Sequence, residues 1–443
     1  MVSKKRTAKR KILMKKIISK DLDFEKQLKD ILSFDRGVPA NIEETVKKII
    51  TDIKSNGDKA VIKLTNELDN NNLNIADLLV TDDEINKASD QISKELKSAI
   101  QLSHDRVAAY HKKQMPKDLM YQDDLGIELG FIWNSIESAG VYVPGGTASY
   151  PSSVIMNTVP AKIAGVEKII MVTPANEGFI NPLVLYAAKI SGVDKIFKVG
   201  GAQAIATLAY GTNTIDAVDV IVGPGNAYVA EAKKMVFGSV GIDMVAGPSE
   251  ILVIADKDQD ARNIAADLIS QAEHDVSAQS ILITDDIALA NSIEKEINDQ
   301  LSDLPRKEIA SKSWNDNGAI IVVDNIAEAI QLSNKFAPEH LQLMVNNPKS
   351  YLKNIKNAGA VFLGPNTPEA IGDYIAGPSH VLPTSKSAKY SSGLSVFDFL
   401  KRTSVAECTK ENFEKIGSAA KELAVNEGLD GHARSIDYRL SKK

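Results

Sequence analysis

Cysteine is nearly absent from this sequence: a single residue, Cys408, stands among 443. That excludes internal disulfides and thiolate zinc clusters, fits a reducing compartment, and leads us to expect a cytoplasmic location. Any metal site must therefore be built mainly from His, Asp, Glu, Asn or Gln. Long hydrophobic runs are missing too, since no stretch reaches eighteen apolar residues, and this excludes a membrane-spanning helix. Nor is there an excess of positive charge: 52 Lys and Arg against 58 Asp and Glu give a net charge of −6, so the body carries no nucleic-acid footprint. The G-x-G-x-x-G pattern occurs nowhere, which removes the standard dinucleotide fingerprint. Histidine is scarce enough to be informative, with six residues at 104, 111, 274, 340, 380 and 432.

What remains is an ordinary soluble composition, 44% hydrophobic and 25% charged, on a chain too long for one simple core. The opening MVSKKRTAKRKILMKKIISK is basic and free of acids. We read 1–21 as a disordered basic extension, or as a stretch preceding a true start at Met14, rather than as an organellar targeting peptide. Residues 22–136 are read as a mainly helical region that completes the second of two α/β units. From Glu137 the pattern becomes short β-rich runs alternating with helical stretches. Strands are expected in VEKIIMVTP, KIFKVGG and DVIVGPG, then in ILVIAD, SILITDD, AIIVVDN, LQLMV and GAVFLG. This alternation predicts an α/β fold of two incomplete Rossmann-like units with parallel sheets, at 137–240 and 241–380. A tail, 381–443, closes the chain with helix from about Glu411.

Four stretches could carry chemistry. In DLISQAEHD (267–275) the apolar stripe of a helix gives way to Gln271, with His274 three residues on along the same face. A histidine satisfied by its helix neighbours is the bland alternative. FAPEHLQLMV (336–345) sets Glu339 and His340 at the mouth of a strand, a carboxylate and an imidazole suited to stepwise proton transfer. TPEAIGDYIAGPSHVLPT (367–384) embeds Asp373 and His380 in a turn-rich loop after a strand, and KELAVNEGLDGHARSI carries Glu427 and His432. His104 and His111 lie two helical turns apart, roughly 10.5 Å, too far to chelate one ion, and are assigned to a polar helix face. Three glycine-rich junctions, FKVGGAQAIATLAYG, VIVGPGNAYVAEA and VYVPGGTASYPSS, would expose backbone N–H groups to an anionic ligand.

Taken together, VYVPGG, VGGAQAIATLAYGT, VGPGNAYVAEAKK, AGPSEILVIAD, DLISQAEHD, FAPEHLQL, GDYIAGPSHVLPTS, SSGLSVFDFLKRTSV and NEGLDGHA make the chain, from about residue 30 onward, resemble the histidinol dehydrogenases. The resemblance implies NAD-dependent oxidation of L-histidinol to L-histidine in two steps through the aldehyde, the last steps of histidine biosynthesis. It implies one zinc ion per subunit and an intertwined homodimer with shared active sites. Gln271, His274, Asp373 and His432 match zinc ligands, with His432 supplied by the partner subunit. Glu339 and His340 match the acid–base pair. Ser249, Glu427 and His340 match substrate contacts, which the metal ligands join, while Tyr142, Gln203 and Asn226 match NAD contacts. On this reading His340 takes the hydroxyl proton in the first oxidation. Glu339 then activates water against the aldehyde, since Cys408 matches no site motif and a hydrate route is the consistent one. LPTSKSAKYSSG is poorer in glycine than the family pattern and could alter one loop.

Rival readings are a related NAD-dependent dehydrogenase of another small alcohol, a zinc hydrolase, and a metal- or nucleotide-binding protein without turnover. Glu427 and His432 beside the zinc ligands favour histidinol. The three glycine-rich turns argue against a hydrolase, and the Glu339–His340 pair argues against a protein without turnover.

Overall fold

A computed structural model describes residues 15–32, 41–145 and 150–440. Strand β1 (Lys15–Ile18) and helix α1 (Phe24–Leu32) come first. Helices α2 (Asn41–Asn56), α3 (Asp58–Leu68), α4 (Asp82–Asp90) and α5 (Lys94–Lys112) follow, then strands β2 (Leu119–Gln122) and β3 (Glu128–Ser135). The first α/β series is β4 (Ser138–Tyr142), α6 (Pro151–Ala164), β5 (Lys168–Val172), α7 (Pro182–Ser191), β6 (Lys195–Phe197), α8 (Gly201–Tyr210), β7 (Val220–Val222), α9 (Ala227–Val236) and β8 (Gly241–Ile242). The second begins with β9 (Glu250–Ala255), α10 (Ala261–Ala272), β10 (Gln279–Thr284), α11 (Ile287–Leu301) and α12 (Lys307–Asn317). It continues with β11 (Ala319–Val322), α13 (Ile326–Phe336), β12 (His340–Met344), β13 (Ala360–Leu363) and α14 (Glu369–Tyr374). Strand β14 (Leu400–Glu407) and helices α15 (Lys410–Asn426) and α16 (Asp430–Leu440) end the described chain.

Two parallel sheets result, ordered β6-β5-β4-β7-β8 and β1-β11-β10-β9-β12-β13. Their strands are apolar without alternation because helices cover both faces; all six residues of β9, EILVIA, are buried. In the first sheet α6 and α7 pack with α4 and α5 on one face, while α2, α3, α8 and α9 cover the other. In the second, α1 and α13 lie on one face and α10, α11 and α12 on the other. Each sheet winds outward from one strand and then crosses back, so strand order reverses between β4 and β7 and again between β9 and β12. Such reversals open a crevice between neighbouring loops.

Several expectations need correction. The basic extension is not wholly unstructured: Lys15–Ile18 is an edge strand paired parallel to β11, with Ile17 buried, while residues 1–14 lie outside the described residues. Among the described helices of region 22–136, α1 packs on the second sheet. Helices α2 to α5 pack on the first sheet, because the Ile42, Val46, Ile49 and Ile53 stripe of α2 meets α8 and α9. A third sheet, antiparallel and ordered β14-β3-β2, was not anticipated. His111 is buried rather than on a polar helix face, and its Nδ1 lies 2.7 Å from Gln114 Oε1.

Candidate active site

Helix α13 ends at Phe336, and Ala337 adopts left-handed backbone, φ +49°, a conformation costing about 1–2 kcal/mol for an L-residue. That turn sends Pro338 and Glu339 into β12, whose first residue is His340. Both side chains are buried where β12 adjoins β9. Glu339 Oε2 accepts the Glu250 N–H at 2.8 Å, and His340 Nδ1 lies 2.9 Å from the Glu250 carbonyl oxygen. A carbonyl can only accept, so the ring carries a proton on Nδ1 and turns Nε2 the other way. There it meets Asp373 Oδ1 at 3.7 Å and Glu369 Oε1 at 3.9 Å, with the Phe362 ring stacked at 6.0 Å. Beside it opens a cavity of about 510 Å³, walled by His340, Asp373, His380, Phe362, Tyr110 and Phe397 among others.

Burial pushes the Glu339 carboxyl up to about 8, against the opposing pull of His340 and the Glu250 N–H. Burial disfavours charge on His340, but Glu339, Glu369 and Asp373 around it outweigh that and raise it to about 10. Burial raises Glu369 to about 7, and for Asp373 the same burial is overcome by the neighbouring imidazoles of His340, His380 and His274, which hold it at about 2. The proton affinity that Glu339, Glu369 and Asp373 impose on His340 marks this spot as one that favours a positive charge.

Donor geometry agrees. His274, Glu369 and Asp373 each offer a ligand atom within 4.8 Å of the others. Gln271 is wholly buried, yet neither its Oε1 nor its Nε2 has a partner, and Glu369 Oε1 and His340 Nε2 are likewise unpartnered. Orphaned buried polar atoms on this scale cost several kcal/mol unless a ligand satisfies them, about 1–3 kcal/mol each. An oxygen- and nitrogen-rich set of this kind fits a divalent ion such as zinc. Helix α10 ends at Ala272, so His274 sits in the following turn, and its N–H donates to the Gln271 carbonyl at 3.2 Å. His380 faces Asp373 through Nδ1, 3.0 Å from the Asp373 carbonyl.

All these groups gather at the amino ends of β9 and β12; Ser249, the residue before β9, is among them. The first unit presents the opposite end. Tyr142 closes β4 and its hydroxyl accepts the Gly201 N–H at 3.2 Å, burial raising that phenol to about 12. Gln203, on the first turn of α8, is 1% exposed with both amide atoms unpartnered. Asn226 caps α9 by accepting the N–H groups of Tyr228 and Val229 at 3.0 and 3.1 Å. The turn before it lies against β4: Gly223 has φ +111°, and a Cβ there would stand 2.1 Å from the Tyr142 carbonyl oxygen. Residues 146–149, part of the third glycine-rich junction, lie outside the described residues.

The fold does not bring every candidate together. Glu427 and His432 are exposed on the α15–α16 pair and do not line the cavity. Conversely, sequence reasoning passed over Glu369. The available signal was its spacing: Glu369 and Asp373 stand at i and i+4, which places two carboxylates on one face of α14.

The fold is a doubly wound α/β architecture whose buried carboxylate–imidazole pocket is of the kind that enzymes use for proton transfer. A family model described as histidinol dehydrogenase matches residues 35–440, and the chain belongs to that family. It is 52% identical over 419 residues to a histidinol dehydrogenase of Agrobacterium fabrum, covering 95% of this chain and 97% of that one. A histidinol dehydrogenase of Bradyrhizobium diazoefficiens is 53% identical over 419 residues, again with 95% and 97% covered. The crystal structure of histidinol dehydrogenase from Elizabethkingia anophelis superposes with a TM-score of 0.92 at 38% identity, covering 96% of this chain and 98% of that one.

Proposed function

We propose that this chain oxidises L-histidinol to L-histidine in two NAD-dependent steps through the aldehyde, with zinc in the second unit and active sites shared across a homodimer. The observation that carries the reading is the tautomer of His340. With Nδ1 committed to the Glu250 carbonyl, Nε2 is the ring nitrogen left facing the cavity, and it can accept the proton of a substrate hydroxyl once a bound cation takes over the charge that the carboxylates keep on the ring. Glu339 is fixed by the Glu250 N–H, and burial gives its carboxylate a high proton affinity, as a base that activates water requires. His340 would then take the hydrate's proton in the second oxidation.

Gln271, His274 and Asp373, with His432 of the partner subunit, would hold the metal, and Glu369 is placed to join them. Zinc there would supply the positive charge that the carboxylates otherwise keep on His340, and would orient the amine and imidazole nitrogens of the substrate. NAD on the first unit, at Tyr142, Gln203 and Asn226, would accept the hydride. Ser249 at the head of β9, and Glu427 of the partner subunit, would contact the substrate. A shared site is supported by apolar side chains exposed on the tail, including Leu423 at 66% and Tyr438 at 67%, and by exposed Leu119 and Tyr121 on the small sheet. No helix among the described residues is long and apolar enough to cross a membrane, and Cys408 is exposed and free.

The test is the number of NADH molecules formed per L-histidinol consumed by zinc-loaded protein. Two support the full reading. One removes the water-activating role of Glu339. None, from a folded dimer, rejects histidinol as the substrate.

A further inference from the structure

In doubly wound sheets the acid that binds the ribose hydroxyls of a dinucleotide stands at the carboxyl end of the second strand. Here that strand is β5, and the residues after it, Thr173-Pro174-Ala175-Asn176, carry no carboxylate; the next acid, Glu177, is exposed. A carboxylate reaches this edge from elsewhere. The segment leaving α3 is pinned over the exit of β5 by Asn71, whose Nδ2 donates to the Ala175 carbonyl at 2.6 Å and whose Oδ1 accepts the Gly178 N–H at 2.7 Å. Two residues earlier, Asp69 turns its carboxylate toward the Gly200 N–H at the start of α8, and its Oδ2 is shut off from solvent without a partner.

The surroundings point to a ligand that donates hydrogen bonds. Gln203 is 1% exposed, with neither amide atom satisfied, and folds back on Gly201, where a Cβ would lie 2.6 Å from its Oε1. The first N–H groups of α8 are already engaged, that of Gly201 by the Tyr142 hydroxyl and that of Gly200 by Asp69. A phosphate arriving at this helix end would meet the Asp69 charge. The nearby Lys198 offers no compensation, because its Nζ is bound by Glu84 at 2.5 Å. Hydroxyl groups, which donate to a carboxylate and to an amide oxygen, satisfy what is left over.

We propose that Asp69 binds the adenosine ribose hydroxyls of the cofactor and thereby excludes the 2′-phosphate of NADP. This rests on the reading that NAD occupies the first unit. It explains how the chain dispenses with an acid after β5.

The experiment uses the zinc-loaded dimer with saturating L-histidinol and compares NAD with NADP for the parent, Asp69→Asn and Asp69→Glu. Loss of a charge-assisted bond predicts that Asp69→Asn raises the KM for NAD on the order of tenfold to a hundredfold. Its kcat at saturating NAD should stay within about twofold, and the preference for NAD over NADP should shrink by a similar factor. Asp69→Glu keeps the charge but displaces it, so NAD should weaken while NADP stays rejected. The glutamate variant alone decides the matter if the asparagine variant does not fold. Unchanged KM values for both cofactors in either folded variant overturn the proposal. Binding of ADP-ribose to the parent, followed by calorimetry, separates the two ideas: its absence would refute NAD on this sheet, and with it any role for Asp69.

Discussion

Lys233 and Asp243 form an ion pair whose side chains are 2% and 0% exposed, beneath the turn that carries Asn226. Lys233 Nζ also donates to the Gly223 carbonyl at 2.9 Å, while Asp243 accepts the Gly223 N–H at 2.9 Å and the Met244 N–H at 2.6 Å. Replacing Lys233 by Met preserves the bulk of the stem and removes the charge. Asp243 then keeps two backbone donors but loses its counter-charge in a place water cannot reach. Breaking one side of such a pair costs about 3–5 kcal/mol, and the two remaining bonds favour the lower end, about 3 kcal/mol. That is a large share of a typical stability of about 5–15 kcal/mol. Equilibrium urea unfolding at fixed protomer concentration reads the loss directly. The double variant Lys233→Met/Asp243→Asn should recover at least half of it, since no uncompensated charge is left. In the folded fraction, loosening of the Gly223 turn should raise the KM for NAD more than it lowers kcat. A cost under about 1 kcal/mol, or two single-variant costs that simply add in the double variant, would refute the reasoning.

Three further outcomes are expected. Glu339→Gln should slow oxidation of supplied aldehyde by about 10²–10⁴-fold and oxidation of the alcohol much less, measured as separate half-reactions by rapid mixing; equal losses would assign Glu339 another role. Glu369→Gln should weaken zinc about tenfold to a hundredfold in competition with a chromophoric chelator, and an unchanged affinity would remove Glu369 from the donor set. Asp267, whose Oδ2 accepts from Gln342 Nε2 at 2.7 Å, is raised by burial to about 6. Because the folded state favours the protonated form, the stabilisation it gives is present below pH 4 and lost as pH rises through 6. Asp267→Asn should therefore be about 1–2 kcal/mol more stable than the parent at pH 8 and no different at pH 4, read from thermal unfolding at both pH values.

The central strands were legible because a parallel strand buried on both faces must be apolar along its middle, as ILI and ILVIA are. The strands that escaped notice lack that signature. KKII at the start looks like a basic tail until β11 is known to lie beside it, and LKRTSVAE of β14 is mostly exposed, so no hydrophobic pattern marks it. Within the pocket, Glu339 and His340 could be singled out as a dipeptide at a strand mouth. Gln271 stood out as a polar residue on an apolar stripe. Glu369 was hidden by the Gly- and Pro-rich text around it, and Asp69 by the 130 residues of chain between it and Gly200. Tyr142, Gln203 and Asn226 were reached only through the family resemblance, since nothing in their spacing sets them apart from ordinary turn residues.

The edge strand β1 has a consequence for how the polypeptide is made. Lys15 pairs with Ala319, so Lys15–Ile18 leaves the ribosome about 300 residues ahead of its neighbour. At a synthesis rate of about 5–20 residues per second, that interval is roughly 15–60 s, long compared with the collapse of either α/β unit. The first strand to emerge is thus among the last to find its place. During that wait the nascent chain exposes an unpaired strand, and β11 in turn is a bare sheet edge until β1 docks, which invites pairing between neighbouring chains on a polysome.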